Sequence, residues 1–157
     1  MKNRTTLIAI LFICMFTMFS LNAQTFNEQN ISAVGIINGK VDLVDYDNDG
    51  DLDLMVLGST NPGLSTTLYN NNGSGSFAYV AGIPFEQLQE GSFDWGDYDN
   101  DGDLDVIITG TTTGGTNGKT TKLYRNDGNS AFTEISINVI EMTNGDIKWL
   151  DLEGDGD

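Results

Sequence analysis

The chain contains the run Asp45-Tyr46-Asp47-Asn48-Asp49-Gly50-Asp51-Leu52-Asp53 and repeats it unchanged as Asp97-Tyr98-Asp99-Asn100-Asp101-Gly102-Asp103-Leu104-Asp105. A third start, Asp151-Leu152-Glu153-Gly154-Asp155-Gly156-Asp157, runs to the last residue. The starts lie 52 and 54 residues apart. Carboxylates at alternate positions with a glycine after the third form a donor set for a hard cation, read here as Ca²⁺. That ion takes about six to eight oxygens at roughly 2.3–2.6 Å. Side chains at positions 1, 3, 5 and 9 can converge on one point: Asp45, Asp47, Asp49 and Asp53, and likewise Asp97, Asp99, Asp101 and Asp105. Gly50 and Gly102 permit the positive-φ turn that would bring the backbone carbonyl of Asp51 or Asp103 to the ion. The side chains of Asp51 and Asp103 are expected to point outward. Tyr46, Tyr98, Leu52 and Leu104 are expected to pack each loop onto its scaffold. In the third loop the candidate ligands are Asp151, Glu153, Asp155 and Asp157. There Glu replaces Asp at position 3 and position 9 is missing.

Three other readings compete. An EF-hand needs a glutamate at position 12, where Val56 and Ile108 stand. A dockerin-type pair would place such loops on helices about 20 residues apart, which fits neither the spacing nor the strand pattern around them. A metal-free acidic turn would hold carboxylates within a few ångströms of one another, each pair repelling by about 1–4 kcal/mol. A turn needs no such crowding. Mg²⁺ accepts fewer protein ligands than these loops offer.

The flanking residues describe the scaffold. Before the loops come Gly39-Lys40-Val41-Asp42-Leu43-Val44, Gly91-Ser92-Phe93-Asp94-Trp95-Gly96 and Gly145-Asp146-Ile147-Lys148-Trp149-Leu150. Apolar residues two apart with a charge between them predict a strand with one buried face. After the loops, Leu54-Met55-Val56-Leu57-Gly58 and Val106-Ile107-Ile108-Thr109-Gly110 predict strands buried on both faces. A third block, Leu68-Tyr69-Asn70-Asn71-Asn72-Gly73 followed by Phe77, matches Leu123-Tyr124-Arg125-Asn126-Asp127-Gly128 followed by Phe132. Asn-Gly and Asp-Gly between β-rich stretches mark tight turns. Each unit therefore has four strands, and no segment shows a helical period. Residues 61–65 and 111–119, rich in Gly, Thr, Ser and Asn, read as surface loops.

Composition bounds the setting. Lys2 and Arg4 precede an uncharged apolar stretch, Leu7 to Ser20, and Leu21-Asn22-Ala23 ends on a small residue. This reads as a signal peptide, residues 1–23, cleaved before Gln24; the apolar stretch is shorter than the roughly 20 residues of a membrane span. Cys14 lacks a small residue before it and is followed by more apolar residues, so lipidation is rejected. From Gln24 onward the chain has no cysteine and no histidine, so bound ions would take the place of disulfide staples. It holds five basic and 23 acidic residues, a formal charge of −18, and 14 of the carboxylates lie in the three loops. No basic patch exists to neutralise phosphates, which argues against nucleic acid.

Phasing sets the order of units. Phe26, Phe77 and Phe132 precede the three loops by 19, 20 and 19 residues. Residues 24–38 are therefore expected to be an orphan outer strand, as in a ring whose terminal segments share one blade. Repeat 1 spans 39–90, repeat 2 spans 91–144, and 145–157 begins a third. Radial four-stranded blades are the β-propeller plan, an all-β antiparallel fold.

These residues resemble the FG-GAP/VCBS repeat family, the calcium-loop repeats of integrin α-subunit propellers and of many exported bacterial proteins. The resemblance covers residues 25–157 and rests on the glycine-led strand, the D-x-D-x-D-G-x-x-D loop and the L-Y-x-N-x-G turn in one order. It implies that the acidic loop is the hairpin between a blade's first two strands. It also implies that the chain is the N-terminal part of a longer protein, since family propellers have about seven blades. Two functions follow as expectations. The first is a Ca²⁺-stabilised, secreted or cell-surface scaffold for adhesion to an extracellular protein or polysaccharide. The second is the propeller portion of a secreted polysaccharide-degrading enzyme. No triad can be built without histidine, and Glu86 and Glu90 are the carboxylates to test for acid–base work.

Overall fold

A computed structural model describes residues 31–115 and 117–150. It is all β: β1 Ile37–Val44, β2 Asp53–Thr60, β3 Gly63–Asn71 and β4 Phe77–Tyr79, then β5 Gln89–Gly96, β6 Asp105–Thr111, β7 Lys119–Asn126 and β8 Phe132–Ile135. The strands form two four-stranded antiparallel sheets in the orders β1-β2-β3-β4 and β5-β6-β7-β8. Each sheet is an up-and-down meander, so every pairing is between neighbours in sequence. The registers repeat as well. Val44 pairs with Asp53 and Gly96 with Asp105, which makes each acidic run the hairpin between a sheet's first two strands.

The runs after the loops behave as expected of buried strands. Leu54, Met55, Val56 and Leu57 are all buried, as are Val106 and Ile108. Alternation then divides them between two faces. Met55, Leu57, Leu68 and Val44 of the first sheet meet Phe93, Val106, Ile108, Tyr124 and Phe132 of the second. The connector between the sheets fills the remaining space with Val80, Phe85 and Leu88. Phe85 packs edge-on to Phe132 at 4.8 Å and lies 5.0 Å from Tyr124. Burying a side chain of this size contributes about 1.5–3 kcal/mol.

The connectors repeat too. Glu86 N donates to the Tyr124 hydroxyl at 3.0 Å, and Val34 N donates to the Tyr69 hydroxyl at the same distance. Residues 31–36 thus lie on the outer face of the first sheet, over Leu54, Val56 and Tyr69, as the inter-sheet connector lies on the second. They form no strand, and β1 begins at Ile37, so this part of the expected outer strand is corrected to a connector. The rest of that expectation, with the signal peptide, lies outside the described residues.

Other expectations are revised by packing. Residues 61–65 are not a loop: a two-residue turn, Asn61-Pro62, joins β2 to β3, and Ser65 is buried. The second loop narrows to 112–118, because Thr111 is buried in β6. The first-strand pattern holds only in the second sheet. Phe93 is buried and Trp95 half-buried between the sheets, whereas Val41 and Leu43 are 54% and 53% exposed on the first sheet's outer face. Residues 145–150 form no strand, though Trp149 N donates to Asp94 and Lys148 pairs with Asp94 at 3.0 Å. No partner strand lies beside them among the described residues.

Candidate metal centre

Each acidic hairpin is wound by its own carboxylates. In the first, Asp45 accepts from Asp49 N at 3.1 Å and from Gly50 N at 3.0 Å, and Asp49 accepts from Asp51 N at 2.9 Å. In the second, Asp97 accepts from Asp101 N and Gly102 N at 3.1 and 2.9 Å, and Asp101 from Asp103 N at 2.9 Å. The turn needs left-handed backbone at positions 4 and 6. Asn48 and Asn100 both have φ of 59°, while Gly50 and Gly102 have 93° and 94°. Asparagine tolerates the first value, and glycine takes the second without a Cβ penalty.

The ninth-position carboxylates are different in kind. Asp53 and Asp105 open β2 and β6 and are buried, at 0% and 1% exposure. Asp53 accepts from Tyr46 N at 3.2 Å and Asn71 N at 2.7 Å; Asp105 accepts from Tyr98 N at 2.8 Å and Asn126 N at 2.7 Å. Each carboxylate therefore ties its loop to the third strand of its sheet. Burial pushes both carboxyls above the usual range, while those backbone amides pull them down. Asp47 is raised as well, by desolvation within the loop and then by the charge of Asp49.

The structure gathers oxygens of Asp45, Asp47 and Asp49 within 4.8 Å of one another, and does the same for Asp97, Asp99 and Asp105. Asp53 in the first loop and Asp101 in the second are not members of these triads. The donor set is all oxygen and carries several negative charges per loop. This fits a hard divalent cation and would be self-repulsive without one. Asp151, Glu153, Asp155 and Asp157 lie outside the described residues.

Two expectations about the loops are corrected. Asp51 and Asp103 do not point to solvent; they are half-buried, each carboxylate facing a turn glycine, Gly73 and Gly128. Gly73 and Gly128 have φ of 71° and 74°, so the L-Y-x-N-x-G turn needs its glycine for backbone conformation, and a Cβ on Gly73 would also displace the Asp51 carboxylate. Leu104 packs into the inter-sheet core, but Leu52 is 52% exposed, because its position falls on the first sheet's open side. The same asymmetry buries Tyr46 and leaves Tyr98 half-buried.

Residues not singled out from sequence also hold the loops. Asn71 Nδ2 donates to Leu52 O at 3.0 Å, and Asn126 Nδ2 to Leu104 O at 3.3 Å. Asn70 Nδ2 donates to Asp47 at 2.7 Å, while Arg125, in the matching place, lies 4.0 Å from Asp99. The recurrence of Asn71 and Asn126 at one repeat position was the available signal. Glu86 pairs with Lys122 at 2.9 Å, and Glu90 accepts from Gly115 N at 2.9 Å, so both glutamates have structural partners.

Comparison with known families gives a match to the FG-GAP-like repeat over residues 45–108. No curated protein and no solved structure matches the chain. The matched stretch begins at the first ligand-rich loop and ends in β6, so it spans that loop, β2 to β4, the connector, β5 and the second loop. Residues 45–108 are therefore similar to an FG-GAP-like repeat, and the two stacked four-stranded sheets are β-propeller blades.

Proposed function

We propose that the chain is an exported calcium-binding module whose blades form a scaffold for an extracellular protein or polysaccharide. The observation that carries the calcium reading is duplication. Two hairpins of identical sequence fold with the same internal hydrogen bonds and gather three carboxylates each. A packing role alone gives no reason to repeat so repulsive an arrangement. An ion held by Asp45, Asp47, Asp49 and Asp53, or by Asp97, Asp99, Asp101 and Asp105, would neutralise that charge and lock each hairpin. The support for a scaffold is that Glu86, Glu90 and Asp94, outside the loops, serve ion pairs and a backbone amide. Export rests on the N-terminal apolar stretch, which is preceded by Lys2 and Arg4 and followed by the small residue Ala23.

Calorimetric titration with CaCl₂ tests the reading. Binding in the 10⁻⁴–10⁻³ M class typical of extracellular modules is expected, with about one ion in each of the first two loops. No heat at millimolar calcium, from protein shown to be folded, would sink it.

A further inference from the structure

We infer that the two acidic loops act as a coupled pair, with Asn126 and Asn48 as the positioning residues that carry ion binding from one to the other. This rests on the calcium reading above and adds a connection between its sites.

The first link is buried. Asp53, the ninth residue of the first loop, accepts from Tyr46 N at 3.2 Å. The carbonyl of the same Tyr46 accepts from Asn126 Nδ2 at 2.8 Å. The backbone N–H of Asn126 in turn donates to Asp105, the ninth residue of the second loop, at 2.7 Å. One tyrosine and one asparagine, each 1% exposed, therefore join the buried carboxylates of both loops. Tyr46 has little freedom to break the chain. Its hydroxyl shares a 2.8 Å hydrogen bond with Ser130, and its ring packs beside Phe132.

The second link is at the surface. Asn48 Nδ2, in the first loop, donates to Asp103 Oδ1 at 2.8 Å and to Gly102 O at 3.2 Å. Both acceptors flank the glycine turn of the second loop. Asn71 offers an instructive contrast. It occupies the position of Asn126 in the first sheet but, among the described residues, its side-chain amide holds only its own loop, through Leu52 O. Asn126 holds its own loop through Leu104 O and reaches across to Tyr46 as well.

An ion in the second loop would fix Asp105, hence Asn126, hence the backbone of Tyr46, whose carbonyl Asn126 holds and whose N–H, across the Cα, orients Asp53. Ordering one site thereby lowers the cost of ordering the other, which is positive coupling and must be reciprocal. Repulsion between the two cations opposes it. At physiological ionic strength a Debye length of about 8 Å screens that repulsion more than it weakens buried hydrogen bonds. The net sign is positive and strengthens with salt.

The test is a cycle on the whole chain, with CaCl₂ as the probe and the Gly50 amide resonance as reporter of the first loop. Asp99→Asn with Asp101→Asn disables the second loop by removing two charges, and the amide oxygen at position 101 still accepts from Asp103 N, so that both links are kept. The expected result is a loss of about fivefold in first-loop affinity, at the lower end of usual coupling. Part of any such loss is simple removal of charge, so the same pair is repeated in Asn48→Gly and Asn126→Ser backgrounds. Glycine keeps the left-handed backbone of position 48, and serine keeps the N–H to Asp105. In these backgrounds the factor should shrink to under about twofold. Equal factors in the original and link-cut backgrounds would overturn the coupling while leaving calcium binding intact. Should Asn126→Ser not fold, the exposed Asn48→Gly decides alone. Silence of both loops at millimolar calcium in folded protein would overturn the calcium reading and this inference with it.

Discussion

Asp101→Ala and Asp105→Ala remove one carboxylate each from the same loop, yet the structure separates their effects. Asp101 is exposed and accepts one bond, from Asp103 N at 2.9 Å. Water can replace that bond, and the substitution also relieves repulsion within the loop. In EDTA its cost should be within about 0.5 kcal/mol of zero. Asp105 is buried and accepts from Tyr98 N and Asn126 N. Alanine there strands the Asn126 N–H, a buried donor, at about 1–3 kcal/mol, while the partly exposed Tyr98 N–H costs less. Removing a carboxylate that burial already disfavours returns part of this, so the net loss in EDTA should be about 1–3 kcal/mol. Calcium then adds a separate loss. At free calcium about 100-fold above Kd, an intact loop gains about 2.7 kcal/mol, and both variants forfeit it at their site. Urea unfolding followed by the fluorescence of Trp95 and Trp149 in EDTA and in calcium measures both quantities. Equal destabilisation by Asp101→Ala in the two buffers would show that it acts through hydrogen bonds and not through metal. A neutral Asp105→Ala in EDTA would refute the structural role of the buried carboxylate.

Three further outcomes follow from the same geometry. Gly39→Ala and Gly91→Ala should each cost more than about 2 kcal/mol by thermal or urea melts, since the added Cβ would overlap the backbone carbonyl of Leu57 or Thr109; a loss below about 0.5 kcal/mol would mean that the sheets open freely there. Tyr124→Phe should cost about 1 kcal/mol by leaving Glu86 N without its acceptor, and an unchanged melting midpoint would show that water replaces it. The pH response should reverse sign between buffers. Asp53 and Asp105 have raised carboxyls, chiefly through burial, so without metal their contribution is greatest at low pH and is lost as pH rises through those values, above the ordinary aspartate value of about 3.9. In calcium, protons compete with the ion and acidification over that window should destabilise instead; parallel pH slopes in EDTA and calcium would contradict this.

Much of the molecule is written locally. The duplicated loop, the glycine-led strands and the Leu-Tyr block each state a turn or a period, and those depend on residues adjacent in the chain. The four-stranded antiparallel sheets, the hairpin position of the acidic runs and the double-sided burial of Leu54–Leu57 were all legible for that reason. What was illegible depends on which face meets a neighbour. Val41 and Phe93 hold the same place in their repeats, as do Leu52 and Leu104. Yet one of each pair is exposed and the other packed, because among the described residues only the second sheet's matching face has a sheet stacked on it. The inward turn of Asp51 and Asp103, the use of Asn126 by both loops and the reach of Asn48 to Asp103 were equally hidden. A repeat period states what each unit contains. Only the stacking of one sheet on the next brings the Asn126 side chain to the carbonyl of Tyr46, 80 residues away, and makes two loops neighbours.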